Sequence, residues 1–125
     1  MSETEGIPGV PFEVVPTTLH GQETLHVRGD LDIVTAPELA TAVTAALAGS
    51  PETLSIDLTD TTFLDSSGAR QLVLSARRAG AAGTTVQLVC PRRNTAVWLV
   101  IDLLELGQAV PVVDPTVPEA DDATS

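Results

Sequence analysis

After two β-like runs, helical and β-like segments alternate along the chain, and this order restricts the fold more than any other feature of the sequence. The opening runs are Phe12 to Leu19 and Thr24 to Arg28, joined by the polar link His20-Gly21-Gln22-Glu23, where Gly21 supplies the backbone freedom of a hairpin turn. Thr35-Ala36-Pro37-Glu38 reads as a helix start, with Thr35 as cap, Glu38 reaching back and Pro37 in the first turn, where its missing N–H costs nothing. Leu39, Val43, Ala46 and Leu47 then recur at helical spacing until Gly49-Ser50-Pro51. Leu54 to Leu58 is β-like. Ala69, Leu72, Val73, Ala76 and Ala79 form a second stripe that stops in the Gly80 to Gly83 region, and Thr84 to Cys90 is β-like again. Pro91 breaks that run, Asn94 to Leu104 is helical with Val97, Val100, Ile101 and Leu104 facing in, and Ala109 to Val113 adds a last short strand. The order β-β-α-β-α-β-α-β predicts an α/β fold. Its mixed sheet opens with an antiparallel hairpin and continues in parallel through right-handed crossovers, with helices packed on it.

A chain of 125 residues accommodates one such domain, expected over residues 12–113. The Gly- and Pro-containing stretch 1–11 and the acidic stretch 114–125 read as tails. With 2% aromatics, the core must be aliphatic. The formal net charge of −11 disfavours nucleic acid and anionic membrane surfaces as partners. Cys90 is the single cysteine, which excludes an intrachain disulfide and a cysteine-rich zinc site and suits a reducing compartment. No signal-like or membrane-spanning stretch is visible, so the cytoplasm is the expected location, and no metal or cofactor is expected.

Chemistry concentrates in one segment. The run Leu54 to Leu58 leads through a turn into Phe63-Leu64, expected to plug the core, and then into Asp65-Ser66-Ser67-Gly68 at the start of the second helix. Hydroxyls at a helix N-terminus, where free N–H groups and the positive dipole end gather, suit an added anion; equally, Ser and Asp are the commonest helix caps. A second polar cluster, Gly29-Asp30-Leu31-Asp32, leaves the second strand just before the first helix. Reactive groups gather outside the carboxyl ends of parallel strands, so Asp30, Asp32 and Ser66 are expected along one sheet edge. A serine hydrolase would need His26 or His20 beside Ser66, but no G-x-S-x-G elbow is present and His26 alternates with Leu25 and Val27 as an exposed strand position does. No phosphate-cradling glycine loop is present either.

Taken together, Arg28-Gly29-Asp30-Leu31-Asp32, Thr35-Ala36-Pro37-Glu38-Leu39, Ile56-Asp57-Leu58 and Phe63-Leu64-Asp65-Ser66-Ser67-Gly68 resemble the STAS domain of bacterial anti-sigma factor antagonists, over about residues 12–113. The resemblance implies that Ser66, the first serine of the Asp-Ser-Ser-Gly run, is phosphorylated by a partner that is both an ATP-dependent kinase and an anti-sigma factor. It implies that Asp32 lies beside the Ser66 hydroxyl and orients it. Asp30, Thr35, Asp65, Ser67, Gly68 and Arg70 would form the surroundings and partner surface, with Ser67 bonded to the helix backbone. The unphosphorylated form would hold the kinase and free a sigma factor, and a protein phosphatase would reset the modified form. The chain departs from the family pattern at Ala69-Arg70, where a large aliphatic and then a small residue are usual, and at Glu105-Leu106, where Gly-Leu is typical.

Two other readings stand beside this one: a constitutive STAS interaction subunit of a signalling or transport complex, without phosphorylation, and the serine hydrolase. Trp98 reads either as part of a partner surface or as packing over the sheet edge. Arg77-Arg78 and Arg92-Arg93 read as solvated pairs, and Cys90 as a small buried side chain.

Overall fold

The computed structural model describes residues 11–19 and 22–116. The hairpin link His20-Gly21 and most of both tails lie outside the described residues. The elements run β1 (Glu13–Leu19), β2 (Gln22–Leu31), α1 (Ala36–Leu47), β3 (Thr53–Asp57), β4 (Thr61–Leu64), α2 (Ser66–Ala81), β5 (Thr85–Val89), α3 (Thr95–Leu103), a 3-10 turn (Leu106–Gln108) and β6 (Val112–Val113). β1 and β2 pair antiparallel, every later pairing is parallel, and the sheet order is β1-β2-β3-β5-β6 with β4 attached to β2. The α/β class and the mixed sheet are as the alternation predicted.

Period-two burial drives the assembly. Leu25, Val27 and Leu31 of β2, Leu54 and Ile56 of β3, and Val86 and Leu88 of β5 point to one side and merge with Leu39, Val43, Leu72, Val97 and Ile101 of the helices in a single aliphatic core. α1 lies against β1 and β2, α2 against β5 and β4, and the two helices touch. The outward side of the sheet carries polar pairs: Arg28 pairs with Glu13 at 3.0 Å, and Gln87 Nε2 donates to Ser55 Oγ at 3.0 Å.

One arrangement escaped the sequence. β2 is longer than its apolar run, and two parallel strands share its one edge in succession: β3 pairs with residues Glu23 to His26, and β4 with Gly29 to Leu31. A register shift between Gly29 and Asp30, with Gly29 at φ 91, separates them. The Gly29-Asp30-Leu31 stretch is therefore strand and not loop. The intervening turn is fixed from three sides. Thr61 Oγ1 donates to Val27 O at 2.9 Å, Gly29 N to Asp60 O at 3.2 Å, and Asn94 Nδ2 to both Leu58 O at 3.0 Å and Thr61 O at 2.9 Å.

Three local expectations are corrected. Leu64 plugs the core as expected, but Phe63 stands half out in solvent, because β4 turns it away from the helices. Thr35 precedes α1 without a side-chain cap bond; its hydroxyl is engaged with the strand it follows. Leu104 caps the end of α3 and is exposed, since α3 closes at Leu103; Val97 and Ile101 are buried and Val100 packs partly buried against the core. Glu105 takes a left-handed conformation, φ 53, a position that favours glycine, the residue that the resemblance leads one to expect there.

Candidate functional site

Because β4 takes over the edge of β2 that β3 leaves, the ends of β2 and β4 lie side by side. Asp65 N donates to Leu31 O at 3.3 Å, which ties the residue after β4 to the last residue of β2. The chain then enters α2 with almost no clearance: a Cβ on Gly68 would stand 2.3 Å from Leu31 O. Only glycine lets the first turn of α2 press against the end of β2. Asp30, Asp32 and Ser66 thereby lie at one carboxyl edge, as expected for them, and Asp65 stands there as well.

Within that edge the polar groups have distinct partners. Asp65 is the cap of α2, its Oδ1 accepting from Gly68 N at 2.8 Å, so neither serine has to satisfy the helix end. Ser66 is exposed, Ser67 half-buried, and among the described residues neither hydroxyl takes part in a side-chain hydrogen bond. The expected bond from Ser67 to the helix backbone is therefore absent. Asp32 Oδ1 accepts from Val34 N at 2.9 Å and Thr35 N at 3.1 Å. Thr35 Oγ1 accepts in turn from Asp32 N at 2.9 Å and donates to Asp30 O at 2.7 Å. Asp32 thus folds its own loop and forms no hydrogen bond with Ser66, which corrects the expectation that it orients that hydroxyl. Asp30 Oδ1 accepts from Thr62 Oγ1 at 2.6 Å across the β2–β4 pair. Arg70 is exposed one turn after Ser66, on the same face of α2.

The sequence reading missed the apolar part of this surface. Ile33 is 71% exposed, Val34 76% and Phe63 48%, all beside the acidic groups at the ends of β2 and β4. Two adjacent large aliphatic residues between a strand and a helix start, where polar turn residues are the norm, were the available signal for Ile33-Val34. The cleft of about 450 Å³ at the carboxyl edge is lined by Arg28, Thr59, Arg93 and Asn94 among others, and does not include Ser66.

Residues proposed for other chemistry are engaged elsewhere. His26 lies on the outward side of β2, with Nδ1 3.2 Å from Asp57 Oδ2 and Nε2 3.0 Å from Thr17 Oγ1, and is no base for Ser66. His20 lies outside the described residues. Cys90 is fully buried, and its thiol is pushed up to about 11 by that burial and by the charges of Asp114 and Asp57, which leaves it unreactive at neutral pH. Trp98 is half-buried: its Nε1 donates to Cys90 O at 3.0 Å while Arg92 stacks on the ring 3.6 Å from the centroid. Among the described residues no cluster of His, Cys, Asp and Glu could hold a metal, and no helix is long and apolar enough to cross a membrane.

Residues 14–120 match the STAS domain profile, more than four-fifths of the chain. The chain belongs to the STAS domain family. Its fold is similar to the crystal structure of an anti-sigma factor antagonist from Mycobacterium paratuberculosis, with 30% identity, a TM-score of 0.75, and 90% of this chain and 93% of that one covered. The anti-sigma factor antagonist SpoIIAA in its unphosphorylated form matches at 23% identity and a TM-score of 0.66, covering 91% and 96% of the two chains. A sulfate transporter family protein from Wolinella succinogenes shares the fold at 15% identity, with a TM-score of 0.65 and coverages of 78% and 80%. No match is found among curated protein sequences. The STAS fold is thus shared with anti-sigma factor antagonists and with a sulfate transporter family protein.

Proposed function

We infer that this STAS domain is an anti-sigma factor antagonist whose binding is switched by phosphorylation of Ser66. Unphosphorylated, it sequesters an anti-sigma factor that is also an ATP-dependent serine kinase, and so frees a sigma factor in the cytoplasm. Phosphate on Ser66 releases that partner, and a protein phosphatase restores the binding form. The domain itself catalyses nothing; the enzymes are its partners. The observation that carries this reading is the division of labour at the start of α2, where Asp65 caps the helix and leaves the Ser66 hydroxyl exposed and uncommitted. The 30% identity to an anti-sigma factor antagonist supports the class of function.

The physics of release is local. Phosphate adds about −1.5 to −2 charges at neutral pH. The helix N-terminus tolerates that charge, and Arg70, one turn along the same face, is a cation within reach, so the fold survives modification. A bound partner fares differently. Seated on Ile33, Val34 and Phe63 and against a neutral hydroxyl, it meets bulk, bound water and charge added to the carboxylates Asp30, Asp32 and Asp65. A loss of about 1.4 kcal/mol already weakens binding tenfold.

Affinity purification from the native cell, with mass spectrometry of bound proteins and of the chain, tests the reading. A serine kinase of the anti-sigma type should co-purify, phosphate should map to Ser66, and Ser66→Ala should keep the partner and carry no phosphate. Phosphate on Ser67 or a threonine refutes the assignment. A chain unmodified under every growth condition points instead to a constitutive interaction subunit, and ester turnover lost on Ser66→Ala points to the hydrolase.

A further inference from the structure

A hydroxyl, an imidazole and a carboxylate meet on the outward face of the sheet, where the strand registers bring them together. His26 of β2 stands directly opposite Asp57 of the parallel strand β3, and Thr17 lies two residues along β1 from Val15, the antiparallel partner of His26. Leu25 and Val27 point into the core, so His26 and these neighbours share the other side of the sheet. There Thr17 Oγ1 lies 3.0 Å from His26 Nε2, and His26 Nδ1 lies 3.2 Å from Asp57 Oδ2. Asp57 is held in turn, its Oδ1 accepting from Thr59 N at 2.9 Å and from Thr59 Oγ1 at 2.6 Å.

The three groups stand in the order of a nucleophile, its base and the base's anchor. Nδ1 faces a carboxylate and so carries the ring proton, which leaves Nε2 to accept from the Thr17 hydroxyl. A hydroxyl bonded to one ring nitrogen, with a carboxylate on the other, is the geometry that activates oxygen for attack on a carbonyl carbon. Other polar contacts on this face stop at two members: Gln87 donates to Ser55, and Arg28 pairs with Glu13. The Asp57–His26–Thr17 run crosses three strands and ends on an exposed hydroxyl, with the His26 side chain 40% exposed. Val15, opposite His26 and exposed as well, gives a short acyl chain an apolar surface to lie on. Ladder N–H groups lie in the plane of a sheet, so none points off this face to hold a tetrahedral oxyanion. The acyl donor must therefore arrive activated, and the ester formed should persist.

We propose that Thr17 is an acyl-acceptor site, modified by small activated acyl esters, with His26 as its base and Asp57 positioning that base. Thr17 Oγ1 attacks the carbonyl carbon while its proton passes to His26 Nε2. The bond from that carbon to the leaving oxygen then breaks, and the proton goes with the leaving group, so one ester is exchanged for another. The domain is the acceptor and turns nothing over. The site uses no residue of the Ser66 edge and stands independently of the switch.

Treatment of the full chain with p-nitrophenyl acetate tests this, read as released nitrophenolate and by peptide mass spectrometry. The chain has no lysine, so the side chain that usually competes for such reagents is missing. A single acetyl group should map to Thr17, with a burst of nitrophenolate no larger than the protein concentration. Thr17→Val should abolish it and Thr17→Ser should keep it. His26→Gln should slow the burst about a hundredfold or more, the usual worth of a general base. Asp57→Asn, which can still accept from Thr59, should slow it about tenfold or more at an unchanged melting temperature, whereas a purely structural Asp57 would move stability and not rate. Thr18→Val is the control: the Thr18 hydroxyl donates to Glu23, so its loss should leave the burst unchanged. Acetyl found only on other residues, or Thr17 acetylation as fast in His26→Gln as in the wild type, overturns the proposal.

Discussion

The starts of α2 and α3 use one device to opposite ends. Each helix is capped by a side chain that accepts from the N–H three residues on: Asp65 from Gly68 at 2.8 Å, Asn94 from Val97 at 3.4 Å. At α3 the capping residue is wholly committed inward, because the Asn94 amide also donates to Leu58 O and Thr61 O and locks the turn that launches β4. At α2 the cap needs only Asp65, and the next residue, Ser66, is exposed with no side-chain hydrogen bond among the described residues, while Ile33, Val34 and Phe63 stand exposed at the ends of β2 and β4. A capping motif is thus evidence of function only where one of its hydroxyls is released from structural duty. The α3 start bonds the turn that leads into β4; in the proposed switch, the α2 start offers the group to modify.

That contrast can be broken in graded steps. Gly68→Val should have the largest effect, about 3 kcal/mol or more of stability, because the new Cβ meets the backbone oxygen of Leu31, which cannot rotate away. Urea denaturation checks it, and a stability near wild type would mean that α2 does not press on β2 as described. Asn94→Ala should follow at about 2 kcal/mol, since two carbonyls lose their donor and the helix its cap. Asp65→Ala should lose only about 1 kcal/mol, the usual worth of a single cap bond; a loss equal to that of Asn94→Ala would erase the distinction between the two starts. At the far end of α3, Glu105→Gly should gain about 0.5 to 1 kcal/mol by relieving the left-handed backbone, read as a higher melting temperature. Ser66→Ala should leave stability unchanged, as suits a side chain without a structural bond.

The sequence carried the parts of this molecule that depend on local periodicity. The stripes Leu39-Val43 and Ala69-Leu72-Ala79 mark helix faces that are indeed buried, and the β-α alternation implies the parallel sheet. The Asp-Ser-Ser-Gly run marked the site. What stayed hidden depends on contacts remote in sequence. That β4 succeeds β3 along one edge of β2 follows from the shift at Gly29 and from the bonds of Asn94 to residues more than thirty positions earlier, and with it goes the exposure of Phe63. Asp32 and Thr35 were read as partners of a hydroxyl and of a helix; they bond each other instead, because an Asp followed three positions later by a Thr can close its own turn. Asp65, read as part of the surroundings of Ser66, is the cap of α2, and neither serine makes a bond that the helix end needs.

The central claim is that charge at Ser66 governs binding while the fold stays as it is. Calorimetry of Ser66→Asp and Ser66→Ala against the purified kinase partner, at two salt concentrations, tests it most directly. The account predicts weaker binding by Ser66→Asp at an unchanged melting temperature. The loss should be partial, because aspartate carries about one charge where phosphate carries up to two. It should narrow at high salt, where an exposed charge is screened. Equal affinities for the two variants at both salt concentrations would contradict it.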